Sequence, residues 1–96
     1  PVDVDVSGVA ANALGARRVG DICFDLAMST GTDSLLVTDE AILIAQRLIW
    51  KELRQLVEPA GATALAALIS GAYVPAPNEK VAVLICGANI SPDPFP

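Results

Sequence analysis

An α/β fold, helices layered on a parallel sheet, is what this sequence predicts, and three observations carry the prediction. Helical patterns and apolar runs alternate along the chain in the order helix, strand, helix, short strand, helix, strand. The last run, Val81 to Ile85, is apolar throughout with no polar alternation, as in a strand covered on both faces of a parallel sheet. It leads into Cys86-Gly87-Ala88-Asn89, and ligands of open α/β sheets bind beyond the carboxyl ends of such strands. Small residues there let backbone approach a bound group, and a thiol and an amide can point at it. The layer is incomplete, with too few strands to close a core.

The elements follow in order. Asp3 to Val6 reads as a short strand or an extended lead-in, and Ser7-Gly8-Val9 as a turn. From Leu14 or Ala16 to about Met28, the residues Val19, Ile22, Cys23, Leu26 and Ala27 recur at steps of three and four. They define one buried helix face, with Arg17, Arg18, Asp21 and Asp25 as a solvated face opposite. Ser29 to Asp33 is a loop, and Ser34 to Val37 a second covered strand. Thr38-Asp39-Glu40 opens a helix, with a side-chain cap and two acids where the positive end of the helix dipole favours them. That helix runs to about Leu53, with Ala41, Ile42, Ile44, Ala45, Leu48, Ile49 and Leu53 inside and Gln46, Arg47, Lys51 and Arg54 outside. Trp50 reads as packing. Leu56 and Val57 form a possible third strand or bridge. Pro59 suits the first position of an alanine-rich helix that ends near Gly71, since its missing N–H is one the helix leaves unpaired anyway. A loop from Val74 to Lys80 precedes the last strand, and Pro92, Pro94 and Pro96 forbid regular structure in the tail.

Composition limits the function classes. The 96 residues make one domain at most, yet 53% are hydrophobic and 18% charged, and the mean hydropathy is +0.54. That excess of apolar residues implies a missing partner, simplest as the rest of the same polypeptide, and a start at Pro1 without a methionine agrees with a cut piece. A net charge of −5 with no basic cluster argues against nucleic acid or an anionic membrane as partner. No apolar run approaches the roughly 20 residues of a membrane span, and no signal pattern opens the chain, so a cytoplasmic protein is expected. Two cysteines, Cys23 and Cys86, read as reduced thiols and not as a disulfide. With no histidine, zinc ligation of the common Cys and His type and a Ser-His nucleophile pair are excluded, and no metal site is expected. No glycine-rich phosphate loop occurs, which disfavours a nucleotide-binding α/β protein. A non-enzymatic folded fragment stays open as a description of the chain itself.

Five motifs in this order, Gly8-Val9-Ala10, Leu14-Gly15-Ala16-Arg17-Arg18-Val19-Gly20-Asp21, Val37-Thr38-Asp39-Glu40-Ala41-Ile42, Glu58-Pro59-Ala60-Gly61-Ala62 and Cys86-Gly87-Ala88-Asn89, together resemble the C-terminal third of a threonine dehydratase. That family (threonine ammonia-lyase, with serine racemase and serine dehydratase as near relatives) consists of pyridoxal-phosphate enzymes of the tryptophan-synthase β-like fold, fold type II. The resemblance implies that residues 1–96 are the C-terminal part of a three-layer catalytic domain, with no regulatory domain in view. It also implies a lyase that eliminates the β-hydroxyl of threonine or serine, giving 2-oxobutanoate or pyruvate and ammonia, in isoleucine biosynthesis or threonine catabolism. A homo-oligomer is implied, and a serine racemase or another hydroxy-amino-acid dehydratase is the alternative within the family.

By the same resemblance, Cys86 matches the Ser or Cys that hydrogen-bonds the pyridine nitrogen, with Gly87 beside it, and Gly8 matches a glycine whose backbone lines the cofactor. Glu58 matches a glutamate near the ring and the catalytic machinery, and Asn89 sits where some relatives contact a nucleotide effector. Ser7 and Asn12 depart from the family, which often has Asp and Ser at those positions, and this weakens any inference about effector or metal response. The family's cofactor-linking lysine lies upstream, so neither Lys51 nor Lys80 takes that part. The Cys86 thiol makes independent chemical sense: a weak neutral donor leaves the ring nitrogen largely unprotonated, which suits fast loss of a β-hydroxyl. An arbitrary cysteine would read as a small buried hydrophobe, a reading that the place of Cys86 after a parallel strand reverses, and without the resemblance Glu58 would read as a carboxylate favoured by the helix N-terminus after it.

Overall fold

The computed structural model of the chain describes residues 1–91, and among them four helices form: α1 (Ala11–Leu14), α2 (Asp21–Thr30), α3 (Asp39–Leu53) and α4 (Pro59–Ile69). The two longest start as local chemistry dictates. Thr38 caps α3, its Oγ1 accepting the Ala41 N–H at 3.1 Å, and Asp39 and Glu40 occupy the first turn. Arg54 ends α3 in the left-handed region, its N–H donating to the Trp50 carbonyl at 2.9 Å and its guanidinium lying 5.8 Å from the Trp50 ring centre. Pro59 is the first residue of α4, and the Ser70 N–H closes that helix on the Ala66 carbonyl at 3.0 Å.

The core lies where α3 packs on α4. Ala45, Ala62 and Ala66 are fully buried, so small side chains let the two helices come close, and Ile42, Ile49 and Val57 fill the space around them. Val9, Val37, Ala60, Leu65 and Ile85 pack against this cluster from connecting segments. Ile49 is the largest fully buried side chain, and its burial stabilises by about 1.5–3 kcal/mol.

Three expectations are corrected. First, the described residues contain no strand: Asp3 to Val6, Ser34 to Val37, Leu56-Val57 and Val81 to Ile85 all lack sheet pairing. A strand exists only by exchanging backbone hydrogen bonds with a neighbour. Here Val37 and Ile85 instead lay their side chains on the helical core. Second, Cys23 is exposed, and so is the apolar face it was assigned to, with Ile22 85% and Leu26 62% accessible. The helix forms, but α2 packs on none of the other three helices and buries none of its residues. Its start also falls later than expected, at Asp21, because the Arg17 carbonyl accepts the Val4 N–H at 2.8 Å and Arg18 pairs with Asp3 at 3.3 Å, drawing this stretch towards the N-terminal segment. Third, Gln46 is buried at 5% accessibility and not on the outer face of α3. Its amide nitrogen donates to the Val57 carbonyl at 2.7 Å. The tail prolines Pro92, Pro94 and Pro96 lie outside the described residues.

The accessible surface is 7133 Å², against roughly 5200 Å² for a free-standing monomer of this mass. Leu36, at 92% accessible, and Ile22 are among the apolar side chains that make up the excess. No helix among the described residues is long and apolar enough to cross a membrane.

Candidate functional site

The carboxylate, the helix and the cysteine turn meet at the start of α4. Glu58 takes an extended conformation (φ −70°, ψ 161°) as the residue before Pro59, and its carbonyl accepts the Gly61 N–H at 2.9 Å. Its own N–H donates to the Gly87 carbonyl at 2.9 Å, which ties the turn after Ile85 to the first turn of the helix. Two glycines make the approach possible. A β-carbon on Gly61 would stand 2.7 Å from the Cys86 carbonyl carbon and closer still to its oxygen. Gly87 lies at φ +76°, which side-chain-bearing residues rarely adopt, and a β-carbon there would stand 2.9 Å from the Glu58 carboxyl carbon. The Glu58 side chain therefore rests against the bare Cα of Gly87. Ile85, packed on the core, anchors the turn from below, and Cys86 carries its free thiol on the exposed side.

The predicted residues divide accordingly. Glu58, Cys86 and Gly87 are brought together. Asn89 is exposed two residues further on, in the middle of a tight turn in which the Ile90 N–H donates to the Ala88 carbonyl at 2.9 Å. Gly8, at φ +97°, adjoins the first turn of α3, where a β-carbon would stand 2.8 Å from the Asp39 carboxylate. Sequence reasoning missed two participants. Gly61 interrupts an alanine-rich helix, and an isolated helical glycine often marks close backbone approach, so a signal for it existed. For Gln46 the sequence held only its place at the border of the apolar face of α3, between Ile42 and Ile49.

Two other features stand apart from this turn. A cleft of about 290 Å³ lined by Thr38, Glu40, Ala41, Ile44, Ile69 and Ser70 lies at the far end of α4, roughly 15 Å along the helix axis. Tyr73 donates its hydroxyl to Glu79, and that bond first, then slight desolvation and the negative charges of Glu79 and Asp33, raise the phenol above its ordinary 10.0.

The donor set at the α4 turn suits the ring edge of an aromatic cofactor. An exposed thiol can meet a ring nitrogen, and the Glu58 carboxylate stands against the bare Gly87 of the same turn. It offers no cradle for a phosphate, and Lys51 is engaged elsewhere, 3.8 Å from Glu52. The chain belongs to the pyridoxal-phosphate dependent enzyme family, whose profile matches residues 1–87, and so to enzymes of fold type II that depend on pyridoxal phosphate. It is 32% identical over 94 residues to the L-threonine dehydratase biosynthetic IlvA of Escherichia coli, covering 95% of this chain and 18% of that protein. Similarity to phenylserine dehydratase of Ralstonia pickettii is 32% over 89 residues, or 93% of this chain and 27% of the relative. Serine racemase of Dictyostelium discoideum is 30% identical over 73 residues, 75% of this chain and 22% of its own length. The chain thus spans about a fifth to a quarter of the curated relatives it matches. No solved structure matches significantly.

Proposed function

We propose that residues 1–96 form the C-terminal part of the catalytic domain of a cytoplasmic, oligomeric hydroxy-amino-acid dehydratase, threonine being the first substrate to test. The observation that carries this reading is the locking of Cys86 and Gly87 onto Glu58 through the 2.9 Å bond from the Glu58 N–H to the Gly87 carbonyl. Pyridoxal phosphate, when bound, supplies the electron withdrawal that lets the amino acid lose its Cα proton and β-hydroxyl. Cys86 holds the pyridine nitrogen with a thiol that does not protonate it, and the backbone of Gly87 lines the ring; Gly8, beside Asp39 at the start of α3, is assigned to the cofactor by the family resemblance alone. Glu58, set beside the turn, moves a proton between the ring region and solvent. Asn89, beyond the turn, is placed for contact with an effector. The net reaction converts threonine to 2-oxobutanoate and ammonia, water being lost from the side chain and returned on hydrolysis.

The exposed apolar face of α2 supports a further part of the reading: the rest of the polypeptide supplies the cofactor-linking lysine and phosphate site and covers Ile22 and Leu26. A second reading, racemisation of serine, has the Dictyostelium serine racemase similarity behind it. The test uses the full polypeptide with pyridoxal phosphate and threonine, serine or phenylserine, measuring 2-oxo acid, ammonia and the enantiomer ratio. Glu58→Gln is expected to keep the cofactor absorbance and slow elimination by ~10²-fold, as loss of a general acid or base does. An unchanged turnover number returns Glu58 to a purely structural place at the helix start.

A further inference from the structure

Gln46 has the one polar side chain in the buried set of the described residues, sitting on α3 next to the fully buried Ala45 and one turn from Ile49. A buried amide must find a partner, and this one reaches past the end of its own helix to the Val57 carbonyl at 2.7 Å. That carbonyl belongs to the same planar peptide group as the Glu58 N–H. The peptide is trans, so its two polar ends point in opposite directions. One is held by Gln46 from the core and the other holds the Gly87 carbonyl at 2.9 Å. Three amide groups therefore stand in series, from the α3 side chain through the Val57-Glu58 peptide to the turn that bears Cys86, and each bond in such a series polarises the next.

We propose that Gln46 is a positioning residue for the Glu58, Cys86 and Gly87 turn, fixing from inside the core the peptide group on which that turn hangs. The proposal rests on the reading of this turn as the cofactor's ring edge and deepens it. If the Gln46 donor is removed, the Val57 carbonyl loses its partner in a place where the Val57 side chain is itself buried. The peptide plane then tilts to find another donor, and the Glu58 N–H swings away from Gly87. Glu58 and Cys86 lose their mutual registration without either being altered.

Two variants of the full polypeptide test this. Gln46→Met keeps length and apolar burial but cannot donate. Gln46→Glu keeps shape and donates only when its carboxyl carries a proton, a form that burial favours. In Gln46→Met, measured without cofactor, hydrogen exchange at the Glu58 amide is expected to rise about fivefold to tenfold, the factor one neutral hydrogen bond corresponds to, with the interior amides of α3 and α4 unchanged. In the loaded enzyme kcat falls while KM for the amino acid holds. In Gln46→Glu, kcat recovers as pH falls and the introduced carboxyl gains its proton, a dependence the native protein lacks. That comparison is made within one protein, so it reports even if Gln46→Met loses its fold. Unchanged exchange at Glu58, or a native pH profile in Gln46→Glu, overturns the proposal. If Gln46→Met leaves turnover intact while Glu58→Gln slows it, this proposal falls and the ring-edge reading stands. If neither variant changes turnover, this proposal falls and Glu58 keeps only its structural place, while the ring-edge reading is decided separately by the cofactor spectrum of the Cys86 variants.

Discussion

Gly61→Ala sets two opposing effects against each other at the point where helix and turn touch. Alanine in place of glycine within α4 should stabilise by roughly 0.5–1 kcal/mol, because the unfolded chain loses freedom and the helix gains propensity. The added methyl, however, would stand 2.7 Å from the Cys86 carbonyl carbon, where ordinary contact begins at 3.4 Å. The Cys86 carbonyl, whose oxygen stands nearer still, is backbone and cannot swing aside, so the turn must retreat by more than ~1 Å, and overpacking of this kind costs about 1–3 kcal/mol. The contact outweighs the propensity, and a net loss of about 0.5–2 kcal/mol is expected. The urea midpoint of the full polypeptide, at constant slope, measures it. Retreat of the Cys86 turn should also lower turnover, since misplacement by about 1 Å can cost ~10²-fold. A variant more stable than the native protein, with unaltered turnover, would show that Cys86 does not pack on the first turn of α4.

Two further outcomes are expected. The 96-residue segment alone, mixed with pyridoxal phosphate and threonine, should form no 2-oxobutanoate beyond the free-cofactor rate, because by the family resemblance neither Lys51 nor Lys80 takes the cofactor-linking part and the apolar face of α2 is bare; turnover above that rate refutes the dependence on other segments. Tyr73 should titrate above 10.0, and Glu79→Gln should bring it down, as read from a ring resonance assigned by Tyr73→Phe. The sign is fixed: a phenol whose folded value is raised contributes stability below its unfolded value, and that contribution is lost as pH rises through the folded midpoint. A midpoint indifferent to Glu79→Gln would contradict the hydrogen bond.

What could be read from the sequence was what neighbours along the chain decide. Thr38 capping α3 and Pro59 opening α4 are contests between a residue and the backbone within one turn, and both came out as read. The helical face of α2 was legible as a pattern, but not what covers it, because periodicity carries no information about a partner. The run from Val81 to Ile85 reads as a buried strand, yet a strand also needs flanking chain to receive its hydrogen bonds, and the described residues provide no such neighbour. Gln46 was misplaced because its position on the helical wheel borders the apolar face, and what pulls it inward is a carbonyl eleven residues away. The grouping of Glu58 with Cys86 and Gly87 came from family resemblance, since no spacing rule links residues so far apart. The structure adds the Glu58 N–H bond to the Gly87 carbonyl that holds them together, and the bare Gly61 that lets the Cys86 carbonyl approach.

The central claim is that the Cys86 thiol faces the pyridine nitrogen of the cofactor, and the absorbance spectrum of the loaded full polypeptide tests it most directly. Cys86→Ser keeps a neutral donor and acceptor and is expected to keep the spectrum and the product ratio. Cys86→Ala should weaken cofactor affinity by the ~1 kcal/mol of one neutral hydrogen bond. Cys86→Asp places a carboxylate against the ring nitrogen, holds it protonated and strengthens electron withdrawal. The account predicts a shifted spectrum for Cys86→Asp alone, with slower elimination and more racemisation or transamination per turnover. Identical spectra and product ratios for the Asp and Ser variants would mean that Cys86 does not touch the ring and that the site lies elsewhere.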